Sequence, residues 1–361
     1  MGRAHYIGQS ELTDSEADQE PVDDAEATVE TEAHTVSFTV GAEHGGWRLD
    51  RVVAALMPSV SRSRLQAWIE RGAAQLNGNA ARSRDLVHEG DRVQIDPQPA
   101  PERAAHAPEA MALDLVYEDE ALIVLDKPPG LVVHPGAGNW SGTLLNGLLA
   151  RDAALAAVPR AGIVHRLDAG TSGLMVIART AAAQLDLVRQ LQARQVVREY
   201  WAIVTGVAPV AATIDAALSR DPRNPLRFRV STHVEARAAR THLRRLGLRE
   251  RSVSPVGAAV SWLACRLETG RTHQIRVHLE SIGHPLLGDP LYTRRRPALV
   301  GTALDLKRQA LHACRLSLVH PGHGRTMAWF RPPPPDMHSL MTRLGFEPDR
   351  PLDPFGERVP R

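Results

Sequence analysis

One nine-residue run constrains this chain of 361 residues more than any other: HRLDAGTSG, His165 to Gly173. Ile163-Val164 leads into it, and Leu174-Met175-Val176-Ile177-Ala178 leads out. A Gly/Thr/Ser-rich link between two apolar segments predicts strand, turn, strand. The turn then sets one carboxylate, Asp168, at a strand end, with the Arg166 guanidinium next to it. A carboxylate fixed in a loop beside a cation can act as a nucleophile or a base. The same residue can equally be a turn aspartate that bonds its own backbone.

Charge is unevenly distributed. The 43 Lys+Arg nearly balance the 41 Asp+Glu, for a net charge of +2. Residues 1–44, however, hold 11 of the acidic residues and only one Arg, so the remainder is clearly basic. A basic body suits a polyanionic partner. Lys127 and Lys307 are the only lysines, a bias that genomic base composition accounts for as well as function does. Cys265 and Cys314 are too few for a disulfide framework or a Cys-rich zinc site. No signal peptide is evident, nor an apolar run of about 18 residues that could span a bilayer. The expectation is a reduced, cytoplasmic setting with no membrane association.

The chain divides by pattern. Residues 1–44 are acidic, lack apolar periodicity and read as a disordered tail. Over 45–97, Val52, Val53, Leu56 and Met57 recur at helical spacing and Pro58 ends them. A second helix starts after Ser61, a candidate N-cap, and runs to Arg71-Gly72. Asn77-Gly78 marks a hairpin turn, and Val93-Gln94-Ile95 a further short strand. Residues 98–111, rich in Pro and Ala, read as a linker.

The body, 112–335, predicts strands at Leu113–Val116, Leu122–Leu125, Tyr200–Val204, Trp262–Leu267, Leu311–Val319 and Met327–Phe330. It predicts helices at Ala181–Arg194, with Leu185, Leu187, Val188 and Leu191 on one face, and at Thr272–Ile282, stopped by Gly283. Strands and helices interleave without a βαβ rhythm, which predicts an α+β fold with a mixed, mostly antiparallel sheet. Residues 336–361 are expected to be an irregular tail, and no repeat of solenoid period is present.

Several segments together resemble the RluA/RluD family of RNA pseudouridine synthases. They are VYEDEALIVLDKPPGLVVHPGAG (from Val116), HRLD with its Thr-Ser-Gly turn, REYWAIV (from Arg198), LETGRTHQIRVH (from Leu267), GHPLLGDPLY (from Gly283) and RQALHA (from Arg308), in the family's order over about 45–335. RLD, SRSRL, ERG, NG and EGDRVQI in 45–97 resemble the S4 RNA-binding domain. The resemblance implies that Asp168 is the catalytic residue, that Arg276 pairs with it, and that Tyr200 packs on the target base. It implies further that Arg166 fills the gap left by a flipped nucleotide. Arg62, Arg64 and Arg71 would contact phosphate; Arg271 and His273 are weaker candidates, for phosphate or structural roles. Two departures occur: Ala169-Gly170 where many relatives have Lys-Asp, and Arg237-Ala238-Ala239 where Lys-Pro-Ala is usual.

The implied activity is uridine-to-pseudouridine isomerisation in large-subunit ribosomal RNA or its precursor particle, in the helix 69 stem-loop. The enzyme would act as a monomer, with no cofactor and no metal. Transfer RNA or another ribosomal site is the alternative substrate. A non-catalytic S4-type RNA-binding protein is the alternative of another class. A zinc hydrolase built on His273 and His278 is disfavoured, because their i, i+5 spacing does not put two ligands on one helical face.

Overall fold

The computed structural model describes residues 35–98, 105–136, 138–252, 254, 257–293, 306–349 and 354–355. The acidic stretch before residue 35 and the last residues of the C-terminal tail lie outside these. Two compact units emerge, Met1–Ala100 and Pro101–Arg361.

The first unit comprises β1 (Val36–Thr39), α1 (Leu49–Leu56), α2 (Arg62–Glu70), β2 (Ala74–Leu76), β3 (Asn79–Ala80) and β4 (Arg92–Ile95). Its sheet runs β1-β4-β2-β3. Leu49, Val52 and Val53 of α1 and Leu65, Trp68 and Ile69 of α2 are buried in one core. The β2–β3 turn places Asn77 at φ 52° and Gly78 at φ 81°, the positive dihedrals an Asn-Gly hairpin turn requires.

Two expectations are corrected in this unit. Residues 36–39, assigned above to a disordered tail, form β1 and pair with β4 from Val36↔Ile95 to Thr39↔Arg92; β4 supplies the partner that local composition could not reveal. Ser61 stands at the N-cap of α2 but makes no capping bond, its hydroxyl lying 3.3 Å from that of Ser63.

The second unit comprises β5 (Asp114–Glu118), β6 (Leu122–Lys127), α3 (Leu144–Arg151), β7 (Ser172–Ala178), α4 (Ala181–Gln192), β8 (Val197–Thr205), β9 (Ala211–Asp215), β10 (Leu218–Asp221), β11 (Asn224–Val230), β12 (Arg240–Arg249), β13 (Val260–Leu267), α5 (Gln274–Ser281), β14 (Leu311–Val319), β15 (Thr326–Phe330) and α6 (Pro335–Arg343). The main sheet runs β5-β6-β7-β14-β8-β13-β12-β9, with β15 also on β14. Among the described residues only β7 and β14 pair in parallel, through His312↔Ser172 and Ala313↔Gly173; the other pairings are antiparallel. This is the α+β, mostly antiparallel arrangement the sequence predicts.

Period-2 alternation sorts the side chains of β8 between two cores. Tyr200, Ala202 and Val204 of β8 face α3 and α5, whereas Trp201 and Ile203 face α6. Gly173 marks the parallel junction. Its φ is 116°, and a Cβ there would lie 2.3 Å from Ala313 O, so the close approach of β7 to β14 admits only glycine.

Four expectations change in this unit. Ile163-Val164 is not a strand: Ile163 forms only an isolated bridge to Ile177, because a tight turn over Pro159–Gly162 precedes it. The buried face of α4 is Ala183, Leu187 and Gln190, with Leu185 53% exposed; Gln190 orients the helix by bonding both the N–H and the C=O of Val319. The tail after 335 is not irregular throughout. Met337, Leu340 and Met341 of α6 fill the second core, and Pro335 sits in the first turn, where proline costs no hydrogen bond. The C-terminal part of the expected linker is docked, with Ala105 and Ala107 carbonyls accepting from Asn146 of α3.

Candidate active site

The run HRLDAGTSG turns just ahead of β7, at one end of the central strands. Thr171 N–H closes the turn on the carbonyl of Asp168 at 2.9 Å. Buried Lys127 braces it from β6: its ammonium reaches the carbonyls of Pro128, Leu131 and Ala169 at 2.8, 2.9 and 3.0 Å. Burial pulls the pKa of Lys127 down to about 7.

The Asp168 side chain does not bond its own turn. Its Oδ2 accepts from Nη1 of Arg276 at 2.9 Å, across 108 residues of sequence. The cation held against Asp168 is thus Arg276 rather than Arg166, because α5 delivers the former directly to the turn. Arg166 is exposed and lines the same cleft.

Arg276 is itself fixed. Its Nε and Nη2 donate to the two carboxylate oxygens of Asp289 at 2.8 and 3.0 Å, and its guanidinium lies over the Tyr292 ring at 4.9 Å. Asp289 is 3% exposed and also accepts from the N–H groups of Leu291 and Tyr292. Burial alone would raise the pKa of Asp289, but the bond and charge of Arg276 hold it below the usual range. Burial likewise opposes the charge on Arg276, and Asp289 with Asp168 outweighs it.

The turn before α5 is built on one side chain. Gln274 Oε1 accepts from Thr269 and Arg271, and Nε2 donates to Arg240 O and Thr241, so its hydrogen-bonding capacity is filled. This delays the helix. His273 takes a left-handed conformation, φ 56°, and α5 begins at Gln274 rather than at Thr272. His273 Nδ1 lies 2.8 Å from the Tyr292 hydroxyl, which accepts from Phe228 N–H, and Nε2 lies 4.0 Å from Asp168 Oδ1. His278 cannot join it at a metal: its Nδ1 and Nε2 are engaged by Thr241 and by Ala216 O, both at 2.9 Å.

Tyr200 reaches the cleft from β8 and is 5% exposed. Burial pushes its pKa up to about 12, with Arg198 acting against the shift, so near neutral pH it is a phenol that can donate a proton but not a phenolate. Asp168, Tyr200, Arg276, Arg166, Arg271 and His273 therefore line one cleft. Arg271 donates to Ala238 O at 3.2 Å. Such a cleft offers a carboxylate, a flat phenol ring and a rim of arginines, which suits a planar base on a polyanionic chain.

The expected phosphate contacts of the first unit are less uniform. Arg62 donates to Asp50 Oδ2 at 2.9 Å; Asp50 is fully buried and also receives Arg48 and Gln66. Arg62 thus ties α2 to α1, although its side chain is 57% exposed. Arg64 is half-buried and Arg71 exposed. Asp289 and Arg198 were not singled out by sequence. A signal for Arg198 existed, since it lies two residues before Tyr200 and so shares its face of β8.

Comparison with known proteins places residues 121–281 in a family described as RNA pseudouridylate synthase, and residues 47–93 in the S4 domain family. A Ribosomal large subunit pseudouridine synthase D of Neisseria meningitidis serogroup A is 45% identical over 94% of this chain and 89% of its own length. Proteins of the same description from Xanthomonas campestris pv. campestris and Escherichia coli O6:H1 are 48% and 44% identical, over 83% and 86% of this chain and 89% and 95% of theirs. Among solved structures, Human RNA Pseudouridylate Synthase Domain Containing 4 superposes with a TM-score of 0.50 at 23% identity, covering 65% of this chain and 94% of that one. That likeness bears on the fold alone. Among the described residues no helix is long and apolar enough to cross a membrane.

Proposed function

This chain belongs to the RNA pseudouridylate synthase family and is an RNA pseudouridine synthase, and we propose that it isomerises uridine in large-subunit ribosomal RNA with Asp168 as its catalytic carboxylate. The observation that carries the residue assignment is the Arg276 bond to Asp168 Oδ2 in the cleft lined by Tyr200. It orients one carboxylate oxygen, while no hydrogen bond to Oδ1 is found among the described residues. The substrate assignment rests on the relatives, which are described as acting on the large ribosomal subunit.

The chemistry follows from the substrate. The target uridine leaves the stack, and its uracil packs against Tyr200. Arg166, exposed at the cleft, is suited to take the vacated position. The C1′–N1 bond then breaks, the ring turns, C5 bonds to C1′, the C5 hydrogen is lost and N1 gains a proton. Asp168 assists as a nucleophile at C6 or C1′ or by removing the 2′ proton. The bond broken and the bond formed belong to one nucleotide, so the balance calls for no redox or group-transfer partner. Tyr200, neutral near pH 7, stacks and can donate its hydroxyl proton.

The S4-like unit, with Arg62, Arg64 and Arg71, and Arg271 at the cleft are the proposed phosphate contacts. The finer target proposed is the helix 69 stem-loop, whose loop uridines unstack at a cost of a few kcal/mol or less. The buried free thiols of Cys265 and Cys314 suit the reduced cytoplasm, and the proposed working state is a monomer.

Mapping pseudouridines in a strain lacking this protein tests the assignment. Ribosomal positions should be lost, and restored by the wild-type gene but not by Asp168→Asn. Intact ribosomal modification with loss at a transfer RNA position would overturn the substrate.

A further inference from the structure

The cleft contains a charge that the scheme above leaves unused. Arg198 precedes Tyr200 by two residues on β8, so strand alternation aims both side chains at the same face. Arg198 is 8% exposed and lines the cleft together with Asp168 and Tyr200. Among the described residues its guanidinium has no carboxylate partner and no hydrogen-bond acceptor, and its Nε is fully enclosed. Its neighbour Glu199 does not compensate it. That carboxylate belongs to the opposite face, where it bonds Arg266 at 2.6 Å and lies 3.7 Å from Arg315. The head of Arg198 rests instead against the backbone at the cleft wall: a Cβ on Gly270 would sit 2.8 Å from Nη1.

A buried guanidinium that no carboxylate among the described residues pairs is a folding cost. Burial disfavours its charged form, and Tyr200 only partly counters this. Such costs concentrate where a ligand completes the site. Arg166, assigned above to the vacated position, is exposed at the cleft. Arg198 lies deep beside Tyr200, where the base itself would go.

We propose that Arg198 is a catalytic residue of this reaction, its guanidinium donating to a carbonyl oxygen of the flipped uracil and stabilising the negative charge the ring carries between bond breaking and bond making. This rests on the uridine-isomerisation reading above. When C1′–N1 breaks with its electron pair leaving on the base, the uracil is an anion spread over N1, O2 and O4. C5 then uses a ring electron pair to bond C1′, the C5 proton departs, and N1 takes one up. A carboxylate addition at C6 also places negative charge on the ring carbonyl, so each proposed role of Asp168 passes through a ring that a buried cation stabilises. Preorganised charge in a water-poor site acts strongly on such a transition state.

The test is single-turnover release of tritium from C5-tritiated large-subunit ribosomal RNA transcripts, with RNA affinity and Tm measured on the same proteins. Wild-type release is read first; its absence would count against the functional reading itself. With active wild type, Arg198→Met should lower the rate constant on the order of 100- to 1,000-fold. Its RNA affinity should stay within about 3-fold and its Tm should be unchanged or higher, since a strained cation is removed. Arg198→Lys, which keeps the charge, should recover part of the rate. Arg198→Met at the wild-type rate would overturn the proposal. So would a loss confined to affinity with full rate at saturating RNA, the behaviour of a residue that binds only phosphate. Should Arg198→Met fail to fold, Arg198→Gln, with a neutral polar head of similar reach, is read on the same scale.

Discussion

Two carboxylates flank Arg276, and their replacement should have opposite consequences. Asp289 is 3% exposed and accepts four hydrogen bonds: two from the Arg276 guanidinium and two from the N–H groups of Leu291 and Tyr292. In Asp289→Asn one oxygen still accepts, but the amide NH2 faces an Arg276 donor, and a buried cation loses its main counter-charge. Breaking a buried pair in this way costs about 3–5 kcal/mol. At roughly 2–4 °C per kcal/mol for a domain of this size, Tm should fall by about 6–20 °C.

Among the described residues the Asp168 side chain has one hydrogen bond, and it is 18% exposed. Asp168→Asn keeps an acceptor for Arg276 Nη1 and leaves the Asp289 pairing intact. The cost is at most about 1.5 kcal/mol, or about 6 °C. Yet an amide can be neither the nucleophile nor the base, so pseudouridine formation should cease. Differential scanning calorimetry and tritium release on the same preparations decide the matter. Equal loss of Tm in the two variants would make Asp168 a structural residue, and turnover by Asp168→Asn at the wild-type rate would refute its catalytic role.

Other outcomes are as specific. Deleting residues 1–97 should weaken RNA binding or blur site choice, and should flatten the salt dependence by about 0.7–0.9 unit of slope for each phosphate the truncated protein no longer neutralises; an unchanged slope and modification pattern would give this unit another role. Activity on prefolded RNA should survive EDTA, since the isomerisation is self-contained; loss restored by one particular divalent ion would contradict this. His312 is fully buried, with Ser172 Oγ at Nδ1 and Arg331 O at Nε2, both at 3.0 Å, and burial depresses its pKa to about 4. The unfolded chain takes that proton near pH 6.5, so the associated stability is complete above pH 6.5 and declines toward pH 4, by about 1.4 kcal/mol per pH unit. Urea midpoints measured from pH 6.5 to 5 should fall for the wild type and less steeply for His312→Asn; parallel curves would refute the assignment.

What the chain alone determines is whatever depends on neighbours a few residues away. Helical spacing marked α1 and α2, Asn77-Gly78 specified its turn, and apolar runs located β6, β8, β13 and β14. Asp168 and Tyr200 were legible as site candidates because the surrounding motifs are short and contiguous. What lay beyond the sequence depends on sheet order. β7 lies beside β14, and β14 beside β8, an order that chain proximity does not dictate. It is this arrangement, with α5 packed across it, that realises over 108 residues the Arg276–Asp168 pairing the motifs implied, and that, beyond anything the motifs implied, brings Asp289 behind Arg276 and buries Arg198 without a partner in the described protein. The same holds for β1, which needed β4 to become a strand, and for α4, whose inward face was chosen by a glutamine bonding a distant strand end rather than by its leucines. Local periodicity reports which residues can be buried together. Only the packed sheet decides which charges are buried with them, because desolvation and pairing are properties of the assembled interior.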